Sequence, residues 1–129
     1  MKILKKFWVL LGIVFILNSM KASVFATNDL IITGQPTSQS VNAGQTVTFK
    51  IAATGKNLKY QWQISTDGKN WTNSGIESGK TNAYTFTALD SHNGRLQRCV
   101  VTDVNGNKVI SNVAIMQIIK NEDWELPIL

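Results

Sequence analysis

The sequence predicts an all-β fold, an antiparallel β-sandwich of about seven to eight strands. Two observations lead to this prediction. Short runs in which apolar and polar residues alternate recur between residues 30 and 118, and clusters of Gly, Asn and Asp separate them. The same stretch contains no apolar stripe with the period of a helix, so no helical interpretation competes with the strands.

Turn-forming residues bound each predicted strand. Pro36 follows the first run and suits an edge strand or a strand that switches sheets, because proline cannot donate a ladder hydrogen bond. Asp67-Gly68 and 104–107 are hairpin signals, 73–82 is the longest loop, and 90–95 is a turn or one helical turn. The predicted strands are 30–33, 46–53, 58–65, 70–72, 83–89, 96–103 and 108–118.

The alternation assigns one face of each strand to the core. Side chains two residues apart in a strand point the same way, so the apolar members of each run share a face. The predicted inward residues are Val47, Phe49, Ile51, Ala53, Leu58, Tyr60, Trp62, Ile64, Tyr84, Phe86, Ala114, Met116 and Ile118.

Residues 1–26 have the pattern of a signal peptide. Three lysines in the first six residues precede eleven residues without a polar side chain (7–17), and Val24-Phe25-Ala26 places small or branched residues at the cleavage site. A membrane-spanning helix takes about 20 residues, so cleavage after Ala26 is favoured over an uncleaved anchor. We therefore expect a secreted protein, either free or associated with the cell surface, with one domain at 27–119 and a charged tail at 120–129.

The charge of the chain depends on this cleavage. The whole sequence carries a net charge of +5, but four of its 13 basic residues and none of its eight acidic residues lie in 1–26. The remaining chain is close to neutral. The composition therefore gives no reason to expect nucleic acid or an anionic membrane as a partner.

Several segments, taken in order, resemble a known family. Residues 41–55, with apolar residues at alternate positions before Gly55, resemble an I-set-like immunoglobulin domain. More closely, 61–68 (QWQISTDG) and 98–107 (RCVVTDVNGN) resemble bacterial immunoglobulin-like modules of exported and cell-surface proteins, which often occur in tandem. The resemblance covers about residues 30–118 and implies an immunoglobulin-like sandwich.

The resemblance also implies which residues join the two sheets. Trp62 and Cys99 take the places of the strand-C tryptophan and the strand-F cysteine, and Ile51 stands where antibody domains have a second cysteine. We therefore expect apolar packing of Ile51, Trp62 and Cys99 with no intradomain disulfide. A buried Cys99 is favoured over intermolecular pairing. Gln97 replaces the tyrosine of the family's tyrosine corner, and its amide can bond the same backbone in a looser corner.

The sequence offers little support for catalysis or for a bound metal. His92 is the single histidine and lies in a polar turn, while Cys99 lies in a predicted core strand, where a thiolate is disfavoured. Residues 67–70 and 103–107 contain oxygen ligands beside a glycine, but hairpin turns explain both segments without calcium. We expect no enzyme, no cofactor and no metal site.

The predicted function is an exported, non-catalytic binding or adhesion module that recognises a protein or a surface ligand. The first alternative is a carbohydrate- or cell-wall-binding module, for which Trp71 and Trp124 are the candidate contacts. For Trp71, covering the sandwich edge is favoured over a ligand contact, whereas for Trp124 folding back and docking weigh equally. The second alternative is a structural spacer or a truncated member of a tandem array. The oligomeric state stays open.

Overall fold

The computed structural model describes residues 29–120. The predicted signal peptide at 1–26, the predicted tail beyond Lys120 and its Trp124 lie outside the described residues. Within 29–120 the chain forms ten strands and two short 3-10 helices. The strands are β1 (Ile31–Gly34), β2 (Gln39–Val41), β3 (Thr46–Lys50), β4 (Ala52–Thr54), β5 (Lys59–Ser65), β6 (Thr72–Asn73), β7 (Ala83–Thr87), β8 (Leu96–Thr102), β9 (Lys108–Ile110) and β10 (Ala114–Ile118).

Two of the predicted strands are each divided in the structure, which raises the number of strands. The run 46–53 divides at Ile51 into β3 and β4, because β3 pairs with β7 and β4 pairs with β1. The run 108–118 divides at Ser111 into β9 and β10. At this break the chain stays bonded to β8 through Ser111. Its backbone N–H donates to the Cys99 carbonyl (2.9 Å), and its Oγ accepts from the Cys99 N–H (2.8 Å).

The larger sheet has six strands in the order β2-β10-β8-β5-β6, with β9 also paired to β8. Its centre is the antiparallel pair of β5 and β8, in which Trp62 lies opposite Cys99. The second layer consists of β1 with β4 and of β3 with β7. Ile51 joins β3 to β4, and its N–H donates to the Asn82 carbonyl (3.0 Å), so the backbone of this layer stays bonded through the division.

One strand pair departs from the predicted antiparallel arrangement. β2 runs parallel to β10, whereas the other strand pairs within residues 29–120 are antiparallel. The change of sheet that brings β2 beside β10 occurs between β1 and β2, in the segment that contains Pro36. The chain leaves the layer that holds β4 and crosses to the edge of the six-stranded sheet, which is the switch of sheets that the proline permits.

The core lies between the two layers and is built from the predicted inward faces. Aromatic rings join the layers, with the Trp62 ring centroid 6.3 Å from that of Phe49 and 5.6 Å from that of Tyr84. The indole Nε1 of Trp62 donates to the Thr81 carbonyl (2.9 Å), so its polar atom is bonded. The buried cluster contains Val47, Phe49, Ile51, Trp62, Tyr84, Ala88, Cys99, Val101, Ala114, Met116 and Ile118.

Gln97 does not form the hydrogen bond to the upstream backbone that would replace the tyrosine corner. Its side chain is completely buried, and neither atom of its amide has a hydrogen-bond partner among the described residues. The side chain points inward from the middle of the larger sheet, between Ile64 of β5 and Ala114 of β10. A shorter amide replaces a tyrosine here, and it bonds no upstream backbone.

The connections agree with the sequence except in one loop. Residues 90–92 form a 3-10 helix, as the predicted helical turn allows. The loop predicted at 73–82 contains an additional 3-10 helix at Glu77–Lys80, which packs on β5 and β7. The short strand predicted at 70–72 begins later, at Thr72, so Trp71 directly precedes β6. Between residues 29 and 120 no helix is long and apolar enough to cross a membrane.

Candidate binding face

The six-stranded sheet turns one face toward the core and the other toward solvent. Trp62, Cys99, Val101 and Met116 are buried on the inner face, so their neighbours along each strand point outward. We name this solvent-facing side the outer face. Its side chains come from β5, β8, β9 and β10 and are Lys59, Gln61, Gln63, Leu96, Arg98, Val100, Thr102, Lys108, Ile110, Ile115 and Gln117.

A connected polar cluster crosses the outer face and reaches Trp71. The Cζ atom of Arg98 lies 4.1 Å from the centroid of the Trp71 ring. The Nε of Arg98 donates to Gln63 Oε1 (2.9 Å), and Gln63 Nε2 donates to Asn73 Oδ1 (2.9 Å). These contacts join Trp71, Arg98, Gln63 and Asn73 into one aromatic and cationic surface.

Apolar side chains lie beside this cluster on the same face. Ile110 is 53 % exposed and lies opposite Val100, while Ile115 is 41 % exposed and lies opposite Leu96. Single exposed aliphatic residues are common on protein surfaces. Here two such pairs share the sheet face that also carries the Arg98 cluster, and this combination is typical of contact surfaces.

The outer face carries positive charge without a carboxylate. Lys59 and Lys108 flank Thr102 in one row, and Arg98 lies four residues away along β8. Residues 29–120 hold nine Lys or Arg and five Asp or Glu, whereas 121–129 hold three acidic residues and no basic one. The net charge of the predicted mature chain is therefore nearly zero, although residues 29–120 alone are basic.

In the two hairpin segments considered for calcium, the aspartate carboxylate accepts hydrogen bonds from its own turn. Asp67 accepts from the backbone N–H groups of Asn70 and Lys69 (2.8 Å each), and these bonds hold the pKa of its carboxyl well below the usual range. Asp103 accepts from Asn107 Nδ2 (2.8 Å) and from two backbone N–H groups of its turn. These bonds lower the pKa of Asp103, the Asn107 side chain contributing most. In the described range no group of three or more His, Cys, Asp or Glu could hold a metal ion.

Cys99 and His92 occupy positions unsuited to nucleophilic or base chemistry. Burial raises the pKa of the Cys99 thiol to about 12, so the thiolate is strongly disfavoured. The Nδ1 of His92 accepts from the Leu89 N–H (3.2 Å), and its ring packs edge-on against Phe86 at 5.5 Å. Burial, followed by the positive charge of Arg95, lowers the pKa of His92, which favours the neutral ring that this bond requires.

The structure separates the residues that the sequence singled out into two groups. Ile51, Trp62 and Cys99 belong to one buried cluster between the layers. Trp71 lies half-buried at the outer face, where Arg98 covers one side of its ring. Sequence reasoning did not identify the outer face as a site. The alternation of the strands could have indicated it. Gln63 and Arg98 are direct neighbours of the inward-facing Trp62 and Cys99, so their side chains point outward.

Comparisons with solved structures agree with this architecture. The crystal structure of Duf (Kirre) D1 is 16 % identical, with a TM-score of 0.51, and the match covers 70 % of this chain and 97 % of that one. Sidekick-1 immunoglobulin domains 1–5 match at 12 % identity and a TM-score of 0.51, over 69 % of this chain and 19 % of that one. The crystal structure of Rst D1-D2 matches at 16 % identity and a TM-score of 0.50, over 70 % and 49 %. These likenesses concern the fold, and they confirm the predicted immunoglobulin-like sandwich.

The family comparison covers the whole described sandwich. The chain matches none of the curated proteins with which it was compared. A family model does match residues 31–120, which is nearly the full described range and more than half of the sequence. The chain therefore belongs to the family described as a domain of unknown function (DUF8696).

Proposed function

We propose that this protein is an exported, non-catalytic binding module that recognises a protein partner through its outer face. The observation that carries the proposal is the combination, on one sheet face, of the Trp71–Arg98 contact with the exposed Ile110 and Ile115. Binding energy at protein interfaces concentrates on aromatic and arginine anchors, and the contacts around them exclude water. Export is supported by the signal-peptide pattern of residues 1–26.

A binding role also fits the residues that could otherwise serve catalysis. The Cys99 thiol is buried and has a raised pKa, and His92 uses its Nδ1 to accept a backbone hydrogen bond. Both groups are thus engaged in the packing of the domain. The polar groups of the outer face, by contrast, spread across a sheet and do not converge on one reacting atom.

The charge of the outer face indicates an acidic partner. Lys59, Arg98 and Lys108 are its charged residues, and complementary potentials favour an acidic surface opposite them. A second copy of this chain, packed by a twofold axis through the face, would place these cations against one another. A different, acidic protein is therefore the favoured occupant.

The test compares two isoleucines that differ in their sheet. Ile110 on the outer face and Ile31 on β1 of the other layer are each 53 % exposed, so Ile31→Asp is a matched control for Ile110→Asp. Residues 27–129 would be titrated, with a fluorescent label, on intact cells of the organism that makes the protein. We expect saturable binding that protease treatment of the cells abolishes. Ile110→Asp should weaken it about tenfold or more, and Ile31→Asp should not.

Equal loss in both variants would place the contact elsewhere, and an absence of saturable binding would favour the structural spacer. Both results contradict the proposal. Binding that survives protease but is lost in Trp71→Ala would instead indicate a glycan. That second candidate has one observation in its favour, since Trp71 lies beside the amide-bearing Gln63 and Asn73 on a flat face. Affinity electrophoresis in gels containing cell-wall polysaccharides would then identify the glycan.

A further inference from the structure

A cavity of about 290 Å³ lies at the end of the sandwich where β5 finishes and β8 begins. This volume is near the lower limit of small-molecule sites. The cavity is separate from the outer-face cluster, since its polar wall comes from the Asp67 hairpin and from the residue that precedes β8. Its lining residues are Ile64, Ser65, Thr66, Asn70, Thr72 and Arg95.

The Arg95 guanidinium in this wall has no polar partner among the described residues. Its Nε is fully shielded from solvent without a hydrogen bond, and no carboxylate of the described chain forms an ion pair with it. Its Cζ lies 4.8 Å from the centroid of the Phe86 ring, so the cation packs against an aromatic face. Burial lowers the pKa of this side chain, so the cation lies in surroundings that solvate it poorly.

Some of the remaining polar groups of the cavity already donate a hydrogen bond within the domain, and the others do not. Ser65 Oγ and Asn70 Nδ2 both donate to the Asp67 carboxylate, at 3.0 and 2.7 Å, and that carboxylate does not line the cavity. The exposed hydroxyls of Thr66 and Thr72 make no hydrogen bond with a described residue. The wall therefore offers a cation and two free hydroxyl donors, with no acidic side chain.

A second observation points to the same end of the inner face. Gln97 points inward from β8, and Arg95, two residues earlier, also lies on the inner side, over the Phe86 ring. Gln97 is completely buried, with both amide atoms unpaired, and it lies opposite Ile64, a residue of the cavity wall. Buried polar groups in native proteins are nearly always bonded, so this region contains more donors than the domain itself uses.

We propose that this cavity is a binding site for a carboxylate group, held by the guanidinium of Arg95 and the hydroxyls of Thr66 and Thr72. A guanidinium binds a carboxylate through two parallel hydrogen bonds, which suits its planar fork. A single cation matches a single negative charge, and Ile64 provides an apolar wall for the rest of the ligand. The carboxylate can belong to a small organic acid or to the C-terminus of a peptide.

The test uses the fact that Arg95 and Arg98 are the two arginines of the chain. Residues 27–129, labelled with ¹⁵N, would be titrated with sodium acetate against sodium chloride at equal ionic strength, while the Nε–H signals of both arginines are followed. We expect saturable movement of the Arg95 signal in acetate alone, with a Kd of about 1 mM. Arg95→Met should abolish saturation at the neighbouring amide signals, and Arg98→Met should preserve it. Thr66→Val and Thr72→Val should each weaken binding about tenfold.

Circular dichroism would establish that each variant is folded, and Arg95→Lys, which keeps the charge, should retain weaker binding. An Arg95 signal that moves equally in chloride, or saturation that persists in Arg95→Met, would overturn the proposal. N-acetylglycylglycine and its C-terminal amide distinguish the two sources. Tighter binding of the acid than of acetate would assign a peptide terminus, and binding no tighter than that of acetate would assign a small acid. Neither outcome depends on the protein partner of the outer face.

Discussion

The inner face of the chain from residue 95 to residue 101 has two halves of opposite character. Cys99 and Val101 lie in the centre of the sandwich, in the buried cluster that contains Trp62 and Phe49. Arg95 and Gln97 lie toward one end and leave buried polar atoms unpaired. Both halves follow the same alternation, so the period of the strand decides which side chains point inward but not whether they suit an apolar core. The centre contributes stability, and the polar end retains unused bonding capacity.

Replacing the central tryptophan is the largest change that this comparison predicts. Trp62→Ala removes a completely buried ring and leaves the Thr81 carbonyl without its donor. We expect the free energy of unfolding to fall by about 3–5 kcal/mol, as for other large-to-small core substitutions. Urea unfolding followed by circular dichroism measures it. Trp71→Ala is the control and should cost less, since that ring is half-buried and its contact with Arg98 is worth about 0.5–1 kcal/mol. Equal losses would remove the distinction between centre and surface.

Removing the unpaired amide at the polar end should raise the free energy of unfolding. Gln97→Met keeps a side chain of similar length but has no buried donor or acceptor to leave unpaired. We expect the domain to gain about 1–3 kcal/mol, the usual cost of an unsatisfied buried group. The converse variant, Cys99→Ser, places a hydroxyl in the apolar centre, and its free energy of unfolding should fall in the same urea experiment. A loss in Gln97→Met would mean that the amide is bonded in solution.

The smallest effect concerns the hairpin beside the polar end, and it depends on pH. The folded pKa of Asp67 lies below that of the unfolded chain, about 4, so its carboxylate stabilises the fold above that pH. The stabilisation is lost as the pH falls toward the folded pKa. The melting temperature of the natural protein should therefore drop more between pH 5 and pH 2 than that of Asp67→Asn. Parallel curves for the two proteins would contradict this. Asp103→Asn offers the same test at the opposite end of the sandwich.

The sequence predicts the central half of this comparison well. The alternation around Phe49, Trp62 and Met116 assigns their inward positions because burial of large apolar side chains between the layers is favourable. The hairpins at Asp67-Gly68 and Asn105-Gly106 follow from local chemistry, with Gly68 and Gly106 at φ of +72° and +84°. These features depend on neighbours in the sequence, so they can be derived from it.

The polar half and the outer face depend on contacts between distant segments. The sequence predicts a bonded amide for Gln97 at the corner and a turn position for Arg95, and the absence of partners for both becomes visible only when the two layers are assembled. The stacking of Arg98 on Trp71 joins residues that no local pattern links. The parallel course of β2 was left open at Pro36, because a proline permits a change of sheet without selecting the new neighbour.

The position of β2 also has a mechanical consequence. The described chain enters the sandwich just before β1 and leaves it just after β10, and β2 lies parallel to β10 near these two ends. Tension between the ends would draw the two strands past each other along their axes. The bonds between them, such as that from the Ile119 N–H to the Val41 carbonyl (2.9 Å), would then be sheared together and not peeled apart singly. We therefore expect the force needed to unfold the domain to be higher than for a domain whose terminal strands are peeled apart, and single-molecule pulling can measure it.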